Sequence, residues 1–138
     1  THNPPEGIKG AKATAVAIYM ARNGAPKTEI RERIVRDYYP LDFKIADIRP
    51  TYRFNETCQE SVPQAIECFL ESSSFENAIR IAISLGGDSD AIAAITGSIA
   101  DAYCGVPEEI AERALAYLDE DLRAIYDEWT AFTATWHE

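Results

Sequence analysis

The chain has 138 residues, 46% of them hydrophobic and 26% charged, enough for one domain with its own core and too apolar for a disordered segment. No apolar stretch approaches the roughly 18–20 residues that a membrane-crossing helix needs, so a membrane-spanning role is excluded. A formal net charge of −10 would repel a phosphate backbone, which excludes unspecific binding to nucleic acid.

In chain order, the opening Thr-His-Asn-Pro-Pro is polar and turn-like, carries no initiator Met and no signal sequence, and looks like the start of a segment cut from a longer chain. Ala11 to Arg22 has the composition of a helix, with Val16, Ile18, Tyr19 and Met20 among alanines, and Asn23-Gly24 supplies a stop. Pro26 suits a first turn, and Ile30, Ile34 and Val35 follow at helical spacing until Tyr39-Pro40. Residues 41–57, with Pro50, Asn55 and the scattered aromatics Phe43, Tyr52 and Phe54, hold no period and read as a long ordered loop with one short helix at most.

Helical spacing resumes at Ser61, with Pro63 in the first turn and Ala65, Ile66, Phe69 and Leu70 as an apolar stripe. Ser74 is the expected N-cap of a helix from Phe75 to Leu85, without a capping box because position 77 is Asn. Gly86-Gly87 breaks that helix. Ile92 to Tyr103 is apolar almost all round, with Gly97 and Ser98 allowing close approach, and is expected to be a buried central helix. Pro107 opens a helix to Leu118, and Asp121 to about Phe132 forms the last one, with Leu122, Ile125, Tyr126 and Trp129. No strand pair with a hairpin turn is evident, so the expected class is all-α, a helical bundle. The acidic residues late in the chain, from Glu108 to Glu128, read as a solvated helix face.

Cys58, Cys68 and Cys104 are odd in number and lack Cys-x-x-Cys spacing. A structural zinc site is therefore not expected, and free, mostly buried thiols in a reducing cytoplasm are.

One short run can carry chemistry: Gly86-Gly87-Asp88-Ser89-Asp90. On a regular helix Asp88 and Asp90 would point about 200° apart, but in a turn or extended conformation the same spacing puts both on one side. The glycines permit that turn, and a helix N-terminus follows with its free N–H groups. Two convergent carboxylates suit a hard, oxygen-seeking cation such as Mg²⁺. The competing reading is structural: Asp88 N-caps the next helix and Asp90 sits in its first turn. Spacing alone leaves both open.

The wider string Ser84 to Ala100 resembles the C-terminal signature of the ADP-ribosylglycohydrolases, Gly-Gly-Asp-(Thr/Ser)-Asp-Thr followed by a helix of small residues. Two further stretches are similar in the same order: Thr1-His2-Asn3 with Gly7 to Ala11, and Thr57 to Ala65. The resemblance implies that residues 1–138 are the C-terminal portion of one such domain, an orthogonal all-helical fold. It implies a hydrolase that removes ADP-ribose from modified substrates by cleaving an N- or O-glycosidic bond, with two Mg²⁺ (or Mn²⁺) ions in the complete domain. Asp88 and Asp90 match its C-terminal metal carboxylates, and His2 matches a histidine lining the substrate cleft. The catalytic acid has no counterpart here.

Two departures bear on activity. The family's N-terminal Thr-Asp-Asp is absent, and its Thr after the second Asp is Ala91, which has no side-chain oxygen. The chain is expected either to work with an N-terminal half, or to be a degenerate relative that binds ADP-ribose or a partner without turnover. An apolar face left uncovered on the central helix would promote self-association.

Overall fold

The computed structural model describes residues 4–137, and every regular element among them is helical. They divide into two compact units, one running up to Gly105 and one from Val106 onward.

In the first unit, α1 (Pro5–Arg22) begins six residues before the expected Ala11. Pro5 fits the first helical position, where its missing N–H is no loss, and Glu6 favours the positive end of the helix. The buried side of α1 is a stripe of small residues, Gly10, Ala13, Ala17 and Ala21. A Cβ on Gly10 would lie 3.2 Å from Cys58 Sγ and from Val62 Cγ2, so the bare backbone lets the next segment approach. Helix α2 (Lys27–Asp37) follows Pro26 and buries Ile30 and Ile34, whereas Val35 points outward. The 41–57 stretch is a long connection holding only the short α3 (Ile45–Ile48).

A 3-10 turn (Cys58–Glu60) leads into α4 (Val62–Glu71), then α5 (Phe75–Leu85) and α6 (Ser89–Cys104). The helix buried on all sides is α4 rather than α6: eight of its ten residues are buried. Helix α6 buries one face, Ile92, Thr96, Ile99 and Ala100, while packing against α1, α4 and α5. Its exposed positions are Asp90, Ala94, Ser98, Asp101, Tyr103 and Cys104, so Tyr103 is the one large apolar side chain exposed on this helix. Thr96 Oγ1 donates to the Ala65 carbonyl at 2.9 Å, tying α6 to α4 in the interior.

The burial of α4 takes in a charge. Glu67 is fully buried; its Oε1 accepts from Arg31 Nη2 at 2.8 Å and lies 3.8 Å from Lys44 Nζ. Glu71 Oε2 accepts from the Ile45 amide at 2.9 Å, anchoring the start of α3. Ser74 caps α5 as expected, accepting from the Asn77 amide at 3.0 Å. Asn77 Oδ1 in turn accepts from the Ser73 amide at 2.9 Å, so Asn performs a reciprocal capping one residue further back than a capping box would.

Two apolar clusters fill this unit. The larger joins α1, α2, α4 and α6 around Ala13, Ile30, Ile34, Ile66, Phe69 and Ile99. The smaller comprises Ile45, Ala65, Cys68, Ala82, Leu85 and Ile92. Leu85 and Ile92 bracket residues 86–91, so that loop is pinned to the core at both ends. Cys68 is buried, but Cys58 is only half-buried and Cys104 is exposed, so the expectation of mostly buried thiols holds for one of three.

The second unit contains α7 (Glu108–Leu115) and α8 (Glu120–Ala134), which ends in a 3-10 turn (Thr135–His137). Helix α7 stops three residues short of Leu118. Asp119 caps α8 by accepting from the Leu122 amide at 2.9 Å. Trp136 packs edge to face on both Trp129 and Phe132, whose own rings are tilted at 48° to each other, with ring centroids 5.4–6.0 Å apart.

Candidate functional site

Gly86 and Gly87 take φ of +78° and +65°, the left-handed region that side chains resist, and so end α5 abruptly. Asp88 follows at φ −78°, ψ 63°, outside helical geometry, and α6 begins at Ser89. This turn brings the two carboxyls together, which a continuous helix would have kept apart. The Asp90 carboxylate, as acceptor for the protonated form of Asp88, is the main cause that raises the Asp88 pKa, followed by partial desolvation and the negative charges of Asp90 and Glu56. The same hydrogen bond is the main cause that lowers Asp90, helped by the Ala91 amide. The two carboxyls are close enough to push each other's pKa in opposite directions, as expected when two carboxylates share a site.

The capping explanation can be tested against the other helices. Ser74 and Asp119 accept a hydrogen bond from the residue three positions on, but Asp88 makes no such bond, although it occupies the N-cap position. The Ala91 amide is near enough to favour ionised carboxyls without meeting the geometry of a cap. Asp88 therefore forgoes a cap and directs its carboxyl to Asp90.

The 49–57 segment closes over this loop. Tyr52 packs against the smaller core cluster, and its ring covers Gly87 so closely that a Cβ there would lie 2.5 Å from Cε1. The Tyr52 hydroxyl donates to the Glu60 carbonyl. Ser61 Oγ donates to the Asn55 carbonyl at 3.0 Å, and Asn55 Oδ1 accepts from the Thr57 amide at 2.8 Å, so the segment is tied internally.

Beside it lies a mostly apolar cleft of about 700 Å³, lined among others by Pro5, Glu6, Ala11, Glu56, Cys58 and Gln59. Its size is in the range of small-molecule sites. Glu56 connects the two features, because it lines the cleft and its charge acts on Asp88. His2 lies outside the described residues; Pro4 and Pro5, which follow closely, are in the cleft wall. Among the described residues, no three His, Cys, Asp or Glu side chains converge as a metal-ligand group.

Sequence reasoning located Asp88 and Asp90 but assigned no role to Tyr52 or Glu56. The available signal was one of three aromatic residues, Phe43, Tyr52 and Phe54, in a stretch without a period. Only the fold shows that Tyr52 lies against Gly87.

A profile of the ADP-ribosylglycohydrolase family matches residues 1–137. The chain is 30% identical over 112 residues to the ADP-ribosylarginine hydrolase Tri1 of Pseudomonas putida, covering 77% of this chain and 30% of that protein. It is 39% identical over 79 residues to the human ADP-ribosylhydrolase ARH3, covering 47% of this chain and 22% of that protein. It thus spans less than a third of the length of these relatives. No solved structure matches significantly.

Proposed function

The chain belongs to the ADP-ribosylglycohydrolase family, and from that premise we propose that it forms the C-terminal side of a metal-dependent site that hydrolyses ADP-ribosyl bonds. The observation that carries this reading is the non-capping Asp88 turned onto Asp90 at the family's signature.

The donor set fits one side of a Mg²⁺ or Mn²⁺ site. Two neighbouring carboxylates whose charges act on each other offer a hard cation a ready place, and their exposed side leaves room for water or ligand oxygens. Asp88 and Asp90 would hold the ion; Ala91 has no side-chain oxygen to offer it, and a water would have to serve instead. When bound, the ion supplies positive charge that orients ribose hydroxyls and stabilises charge developing as a glycosidic bond breaks.

The chain's own residues do the rest. Leu85 and Ile92 hold the loop ends rigid, so the carboxylates stay in place as substrate arrives. The adjoining cleft receives part of an ADP-ribosyl group against its apolar wall, with Glu56 at the boundary between cleft and carboxylates. The Pseudomonas relative acts on ADP-ribosylarginine by its name, which makes an arginine-linked substrate the first to try.

A second reading is favoured by Ala91 and by the lack of a third acidic ligand among the described residues. On that reading the protein binds ADP-ribose without turnover. Incubating the protein at its natural length with ADP-ribosylated arginine and serine peptides, with and without Mg²⁺, separates the two. The proposal expects metal-dependent release of ADP-ribose that Asp88→Ala abolishes. Saturable ADP-ribose binding with no release would establish the second reading instead.

A further inference from the structure

We propose that Tyr52 is the positioning residue of the Asp88–Asp90 pair, its ring acting as a template that fixes the Gly87 turn; this rests on the metal-site reading above. Three contacts place it there. The ring packs against the core cluster that holds Leu85 and Ile92, so it cannot swing away freely. Its hydroxyl is anchored on the Glu60 carbonyl, at the end of the 3-10 turn that leads into α4. Its Cε1 and Cδ1 edge covers the Gly87 α-carbon, and the Arg53 carbonyl lies on the same spot, 3.2 Å from where a Cβ would be.

The consequence is mechanical. Gly87 at φ +65° is the residue whose backbone sets the direction of Asp88. A glycine is free to leave that conformation, because its left-handed and right-handed regions are nearly equal in energy. Backbone bonds hold its neighbours, Gly86 N–H to the Ile83 carbonyl at 3.1 Å and Ile92 N–H to the Asp88 carbonyl at 3.0 Å, but no hydrogen bond of its own restrains Gly87. The ring above it does, by leaving room for only one path of the chain. Glycine supplies the turn and tyrosine keeps it.

Groups that orient metal ligands from behind typically change metal affinity by about 10–100-fold when removed. Tyr52→Ala should therefore weaken Mn²⁺ binding, read by electron paramagnetic resonance on the purified protein, by about tenfold or more. Tyr52→Phe keeps the ring and should retain affinity within about threefold, since only the hydroxyl anchor is lost. Gly87→Ala, which drives a Cβ into the ring, should weaken binding as Tyr52→Ala does. In the double variant Tyr52→Ala/Gly87→Ala the steric part of the Gly87 effect should disappear, giving a smaller loss than the sum of the singles.

Asp88→Ala is the reference that separates the two claims. If Asp88→Ala abolishes Mn²⁺ binding while Tyr52→Ala leaves it unchanged, Tyr52 has no positioning role and the metal site stands. If Asp88→Ala binds Mn²⁺ as the parent does, the metal site fails and the role of Tyr52 fails with it. Should Tyr52→Ala unfold the chain, the Phe variant and Gly87→Ala decide: additive, equal losses from both would overturn the template.

Discussion

Removing the Arg31 guanidinium should destabilise the protein more than removing both members of its ion pair. Glu67 is wholly buried, and one of its oxygens, Oε2, has no hydrogen-bond partner even with Arg31 in place. In Arg31→Met the carboxylate keeps only Lys44, whose Nζ is 3.8 Å away on a side chain 63% exposed. Breaking a buried pair from one side typically costs about 3–5 kcal/mol, and because Arg31 is itself one-third exposed the lower end, about 3 kcal/mol, applies. For a domain of this size that is a fall in melting temperature of roughly 10–15 °C. Replacing both, Arg31→Met with Glu67→Met, removes the desolvated charge along with its partner and should lie within about 1 kcal/mol of the parent. Urea unfolding followed by circular dichroism measures all three proteins. A loss under about 1 kcal/mol for Arg31→Met, or a double variant less stable than that single one, would refute the claim that Arg31 compensates a buried charge.

Other outcomes follow from the same geometry. Thr96→Val should cost about 1 kcal/mol in urea unfolding by removing the interior bond to the Ala65 carbonyl. Ser74→Ala should cost about 1 kcal/mol through its lost cap, while Asp88→Ala, with no cap to lose, should leave stability at or above the parent's. Burial pushes the Cys68 thiol up from 9.0 to about 12, so Ellman's reagent should modify exposed Cys104 first and Cys68 only on unfolding. The linkage has a sign: the unfolded chain sheds this proton above pH 9 while the folded one keeps it. Stability should then decline from pH 9 towards 12, less steeply in Cys68→Ala; a decline unchanged in that variant would show that Cys68 is not its source.

Much of the fold was legible because helix signals are local. The Ser74 cap and the Gly86-Gly87 break each act within one turn of chain, and the structure has them where the residues predict, while Pro26 stands one position earlier than expected, at the N-cap of α2. Burial was less legible, since it depends on what packs against an element. Helix α6 looked central because its own residues are apolar, yet α4 is the enclosed one and carries Glu67 inside. No periodicity marks that charge, because its partners come from α2 and from the residue before α3. At the site, Asp88 and Asp90 could be found from spacing and resemblance. Their convergence required the non-helical ψ of Asp88, and the cover by Tyr52 depends on a contact 35 residues apart in the chain.

The central claim is that Asp88 and Asp90 hold a cation rather than begin a helix. Isothermal titration of Mn²⁺ into the parent and into Asp88→Ala, with melting temperature recorded on the same samples, tests it most directly. The account predicts saturable binding in the parent, none in the variant, and no drop in melting temperature. Equal binding in both, with a drop like that of Ser74→Ala, would contradict it and return Asp88 to the role of a cap.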